Sequence, residues 1–134
     1  VANVQDSAFA SGRAVVAFAG TIARTDTAAK VLFTLPAGFV PTDIKCASPN
    51  NSDAGTTATI SVGRQGGAQT DFINAQDVKT AATGKGSFKP VTSGSALLGV
   101  PLAAATVVTG LYAETGGAST TGGPFAVIVE GFVV

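Results

Sequence analysis

The sequence predicts an all-β fold: an antiparallel β-sandwich, jelly-roll-like, preceded by a short N-terminal arm. Three observations lead there. Thr and Val are plentiful, while the helix formers Glu, Lys and Arg are scarce and Met is absent, with charged residues at only 12%; that balance favours strands. Short apolar or alternating runs recur with turn chemistry between them, and 17 Gly and 6 Pro supply the punctuation without a collagen-like period. No segment places apolar residues at helical spacing. At 134 residues the chain fits one domain, long enough to bury roughly two-thirds of its unfolded surface. The reading is an arm over residues 1–12 and one sandwich domain over residues 13–134.

Taken in order, residues 1–12 are small and polar, with Val4 and Phe9 as isolated apolar points. Arg13-Ala-Val-Val-Ala-Phe-Ala-Gly20 reads as a strand, with Val16, Phe18 and Ile22 on one face, and Thr25-Asp26-Thr27 as the turn after it. Lys30 to Leu35 is the next strand, with Val31, Phe33 and Leu35 on one side. It ends at Pro36, which cannot donate to a ladder, and Gly38, which permits a sharp reversal. Pro41 to Ala47 alternates Ile44 and Cys46 against Asp43 and Lys45, and residues 48–55 form a loop. Thr57-Ala-Thr-Ile-Ser-Val62 is the cleanest period-two run: Ala58, Ile60 and Val62 inward, Thr57, Thr59 and Ser61 outward. Residues 63–67 and 83–87 read as loops, and between them Phe72-Ile-Asn-Ala75 and Asp77-Val-Lys79 read as a short helical turn or an edge segment. Residues 105–114 and 124–134 are two long strands, joined by 115–123 as a hairpin with a long flexible tip; Val127, Val129 and Val133 line one face of the second.

The same residues exclude most chemistry. With no His, neither a Ser-His-Asp arrangement nor a Cys/His zinc site can be assembled. Cys46 is alone and reads as a small buried apolar group. Asp71 and Asp77 are the nearest carboxylate pair in sequence, and Glu114 and Glu130 would face each other across the expected hairpin. A catalytic acid needs a hydrophobic cleft to raise its pKa, and acids spread over turns and strand faces are normally solvated or paired. Gly84-Lys85-Gly86-Ser87 lacks the spacing and the following helix of a phosphate loop. Asn50-Asn51-Ser52-Asp53 lacks the bidentate Glu of a calcium loop and reads as an Asx-rich turn. The expectation is a protein that is not an enzyme and carries no metal or cofactor. A formal net charge of zero with no basic stripe excludes a nucleic-acid partner. Residues 90–113 are uncharged, but Gly94, Gly99, Pro101 and Gly110 interrupt them, so a loop and a strand are expected rather than a membrane span. No apolar leader is read at the N-terminus, where Asn3, Gln5 and Asp6 stand.

The candidate partner contacts are few. Val4 and Phe9 either dock on their own sandwich or insert into a neighbouring subunit, as donated strands do, and Arg13 stands where the arm meets the sandwich. Lys85 and Lys89, with Lys79, form a small basic cluster partly offset by Asp77. It is either a solvated loop or a contact to an acidic surface.

Three segments carry a family resemblance: Arg13-Ala-Val-Val-Ala-Phe18, Ala29-Lys-Val-Leu-Phe-Thr-Leu-Pro-Ala-Gly38 and Ala54-Gly-Thr-Thr-Ala-Thr-Ile-Ser-Val-Gly63. With Asp77-Val-Lys-Thr80 and Tyr112 to Phe125 they resemble, in order and spacing, the small β-sandwich virion proteins of tailed bacteriophages. Some of that group resemble capsid decoration, or cement, proteins, which sit as trimers over three-fold positions of the shell. The resemblance implies a structural protein on the outer surface of a phage head, assembled in the bacterial cytoplasm. It would have the major capsid protein and itself, as a homotrimer, for partners, and neither nucleic acid nor membrane. The rival is a tail-fibre or host-recognition domain that grips a glycan with loops 48–55 and 115–123. No Trp and a single Tyr, Tyr112, count against it.

Overall fold

The structure, a computed structural model, describes residues 14–67, 69–79, 88–90 and 97–134, with residues 88–90 as backbone. The described residues contain no helix. Eight strands follow one another: β1 (Val16–Ile22), β2 (Lys30–Leu35), β3 (Phe39–Ala47), β4 (Thr57–Arg64), β5 (Ile73–Asp77), β6 (Phe88–Pro90), β7 (Thr106–Thr115) and β8 (Phe125–Val133). They form two four-stranded antiparallel sheets, in the orders β1-β8-β3-β6 and β2-β7-β4-β5. Only β4 and β5 are consecutive within one sheet; every other connection crosses to the opposite one. This double Greek key is a jelly roll.

Alternation decides which face each strand buries. In β4, Ala58, Ile60 and Val62 are buried as expected, while Thr57, Thr59 and Ser61 face outward. In β8, Phe125, Val127 and Val129 are fully buried and Val133 packs against the core. Facing them across the sandwich are Ile60, Val62, Val108 and Tyr112. Cys46 is buried at 1% exposure among these aliphatic side chains. At the side where β1 and β2 meet, Phe18 stands edge-on to Phe39 at 5.3 Å and tilted to Phe33 at 6.0 Å, closing the gap between the sheets.

Three expectations are corrected. Residues 115–123 are not a hairpin tip, because β7 pairs with β2 and β4 while β8 pairs with β1 and β3. The segment crosses between sheets, and Glu114 and Glu130 lie on different sheets. Val31 does not share the inward face with Phe33 and Leu35. A register shift between Val31 and Phe33 leaves Val31 55% exposed and turns Leu32 and Phe33 toward the core. The 63–67 loop begins later than expected, since β4 runs through Arg64. Of the two readings for residues 72–79, the edge strand is right: β5 pairs with β4 alone.

Pro41 and Gly131 explain each other. Pro41 offers no N–H, and it sits opposite Gly131 at the register shift between Pro41 and Asp43. The strands approach so closely there that a Cβ on Gly131 would fall on the carbonyl oxygen of Val40 and lie 2.7 Å from Phe39 Cζ. Gly131→Ala therefore has to part β3 from β8. It is expected to cost at least about 3 kcal/mol, the upper end of ordinary overpacking, by chemical denaturation. Gly67→Ala meets only ordinary contacts, the nearest at 3.7 Å, and is expected to change stability by less than about 0.5 kcal/mol.

Candidate functional site

The antiparallel strands give the sandwich two ends of opposite chemistry. At the first, β3 and β7 finish and β8 begins, and loops 23–29, 48–56 and 115–124 meet. Their polar groups are spent on one another. Asp53 accepts from the backbone N–H of Thr120 (2.7 Å) and Thr121 (2.9 Å) and from the Thr120 hydroxyl (2.6 Å). Main-chain bonds add Asp53 N to Thr121 O at 3.3 Å, Gly55 N to Gly117 O at 3.0 Å and Gly123 N to Asn50 O at 2.9 Å. The supposed flexible tip is thus a clasp over the open end of the sandwich.

Tyr112 is its centre. The ring is fully buried and stacks on Phe125 at 5.7 Å with planes 5° apart. Its hydroxyl donates to Glu114 Oε2 (2.7 Å) and pairs with Ser52 Oγ (2.6 Å). Glu114 also accepts from the backbone N–H of Ser119 at 3.1 Å, and Arg24 Nη1 donates to Ser119 O at 2.9 Å. Hydrogen bonding from Ser119, then from Tyr112, holds the Glu114 carboxyl below its ordinary value. The Thr120 hydroxyl and the Thr121 and Thr120 amides hold Asp53 well below the usual carboxylate range. Burial pushes the Tyr112 hydroxyl up.

The other end, where β1 begins and β8 finishes, is apolar. Val134 N bonds Gly38 O at 3.0 Å, and Leu102 pairs with Phe39 through its N–H at 2.9 Å, so residues 97–102 lie along β3. Five of the six large hydrophobic side chains exposed among the described residues belong to this end: Val15, Val16, Leu98, Val100 and Val134. The charges nearby cancel, with Arg64 Nε bound to Asp71 Oδ2 at 2.8 Å.

None of the expected contact side chains is among the described residues. Val4, Phe9, Arg13 and Lys85 lie outside the described residues, as does the side chain of Lys89, whose backbone pairs with Cys46. The candidate carboxylates do not converge. Asp71 is bound to Arg64, Asp77 accepts from Lys79 N at 2.8 Å, Glu114 serves the clasp and Glu130 pairs with Lys45 Nζ at 2.9 Å. Among the described residues, no group of three or more metal-ligating side chains is close enough to hold an ion. No helix among them is long and apolar enough to cross a membrane. The apolar end escaped the sequence reading because its residues come from three separate segments.

No family model and no curated protein matches the chain. Its fold is similar to that of a chain in the cyanophage Pam1 capsid asymmetric unit, with a TM-score of 0.65 and 25% identity over 92% of this chain and 87% of that one. This likeness supports the resemblance to phage virion proteins read from residues 13–18, 29–38, 54–63, 77–80 and 112–125.

Two outcomes test the clasp. Tyr112→Phe leaves Ser52 and Glu114 without their shared buried partner, and is expected to cost about 1–3 kcal/mol in chemical denaturation. Acid should also loosen it. Asp53 and Glu114 have folded pKa values below their unfolded ones, so their stabilisation is complete above the unfolded values near 4 and is lost as pH falls through the depressed folded values. Tyr112, raised in the fold, contributes fully below about pH 10 and loses that contribution above it. Melting temperature against pH is expected to fall on both sides of this window.

Proposed function

We propose that this chain is a capsid decoration (cement) protein that binds the outer surface of a bacteriophage head as a homo-oligomer, a trimer at three-fold positions, and stabilises the shell. The observation that carries the reading is the likeness, in fold and in a quarter of the aligned residues, to a chain of a cyanophage capsid asymmetric unit over most of both chains. The surface chemistry supports it. A cement protein needs a stiff block, a face for the shell and a face for its own copies; it needs no acid, base or metal. The end bearing Leu98, Val100 and Val134 offers the shell an apolar patch beside which Arg64 and Asp71 neutralise each other, and the clasped polar end faces solvent. Its action is mass action: binding one shell state and not its competitors stabilises that state by RT ln(1 + [L]/Kd).

Host recognition is less favoured. The loops it would use do gather at one end, around a shallow hollow of about 500 Å³ lined by Asn50, Asn51, Thr121 and Gly122. But Tyr112, the chain's only Tyr, is buried beneath them and offers no platform for a sugar.

Electron-microscopy reconstruction of the parent particle is the test. The expected result is an eight-stranded sandwich on the outside of the head with its apolar end toward the shell; density confined to the tail would overturn the reading. Occupancy on purified particles is expected to survive a rise from about 0.15 M to about 1 M salt, because uncharged contacts are not screened.

A further inference from the structure

We propose that the free edge of β1 is an interface between copies of this chain, at which an edge strand of a second molecule pairs main chain to main chain. Two open four-stranded sheets have four edges, here β1 and β6 in one and β2 and β5 in the other. Each presents unpaired N–H and C=O groups, a template that proteins blunt with lysine, proline, bulges or a covering loop. Three edges are blunted in this way. β2 opens with Lys30 and carries the register shift between Val31 and Phe33. β5 has five residues, pairs across a register shift and contains Ala75 at φ 51°. β6 has three residues and ends at Pro90, and residues 97–102 cover β3 beyond it.

Among the described residues, β1 is blunted only at its C-terminal end, where Lys30 Nζ bonds Thr21 O at 3.1 Å. It keeps one unbroken register with β8, from Val16 opposite Gly131 to Ile22 opposite Phe125. Residues 14–22 read Ala-Val-Val-Ala-Phe-Ala-Gly-Thr-Ile, with no charge and no proline. Such β-prone, uncharged windows pair with their like. Val15 is 71% exposed, Val16 is 38% exposed, and Ala17, Ala19 and Thr21 are exposed too.

The occupant is a second copy because the strip is self-compatible. Carrying no charge, it meets its like without repulsion, and a chain of zero net charge lacks the overall repulsion that keeps molecules apart. Ala17, Ala19 and Thr21 are small enough to let a second strand approach to the ladder spacing of about 4.8 Å. Val15, Val16 and the half-buried Phe18 gain cover. Like edges meet about a two-fold axis, so the contact joins copies in pairs and is additional to the three-fold contacts proposed above; it rests on that reading only for its role on the particle. It is tested on the purified full-length chain alone, so failure to bind particles and failure of this interface show separately.

Sedimentation over roughly 1–100 µM protein is expected to show reversible association, since the contact follows mass action. Ala17→Lys with Ala19→Lys adds the residue that natural edges use, at exposed positions, and is expected to weaken association by at least about 100-fold with circular dichroism unchanged. Ala113→Lys, exposed on the other sheet, is expected to leave association as it was. Amide exchange of the wild-type chain supplies a readout that needs no variant, with protection over residues 15–21 expected to rise with concentration. A monomer throughout the range, association undiminished by the lysines, or β1 protection independent of concentration (the chain's own arm on the edge) would each overturn the proposal.

Discussion

The structure depends on burying two sheets face to face while six of the seven links between strands pass from one sheet to the other. Inward rows such as Ile60, Val62, Val108 and Tyr112 against Ile44, Val127 and Val129 supply the adhesion. The crossings decide what happens at the ends. A link that crosses must travel over the rim of the core, where main-chain groups lose their ladder partners and still need hydrogen bonds. At one rim those needs are met by Asp53 and Ser52, each bonded to a segment distant in sequence, and by Glu114, which accepts from Ser119 five residues on. At the other they are met by residues 97–102 lying along β3. The polar clasp and the apolar opposite end are two solutions to one topological problem.

Where a strand is half buried, its period was legible. Thr57 to Val62 and Phe125 to Val133 declare their inward faces residue by residue, because a one-residue slip would expose the whole row. Local pattern stops short of sheet membership. Residues 115–123 have the composition of a hairpin tip, and only the long-range pairing of β7 with β4 and of β8 with β3 shows that they cross. The bulge at Leu32 was equally hidden: Val31-Leu32-Phe33 is an unbroken apolar run that does not say which of the three faces outward, and in the fold Leu32 packs against Gly20 and Gly110 while Val31 is exposed.

The site was less legible than the fold. Absence of His and zero net charge could be read directly and directed attention to surfaces. Which surface could not be read, because Val16, Leu98, Val100 and Val134 become neighbours only through the pairing of β1 and β3 with β8 and the run of 97–102 along β3. The carboxylates show the converse. Asp53 looked like an ordinary turn residue, yet it holds two loops together through three hydrogen bonds.

The placement of Tyr112 has a spectroscopic consequence. It is the only Tyr in a chain with no Trp, so emission excited beyond the phenylalanine band comes from one ring, enclosed at the clasped end with its hydroxyl between Ser52 and Glu114. That fluorescence is a built-in optical gauge of a single locality, able to register opening of the loops before the sheets separate.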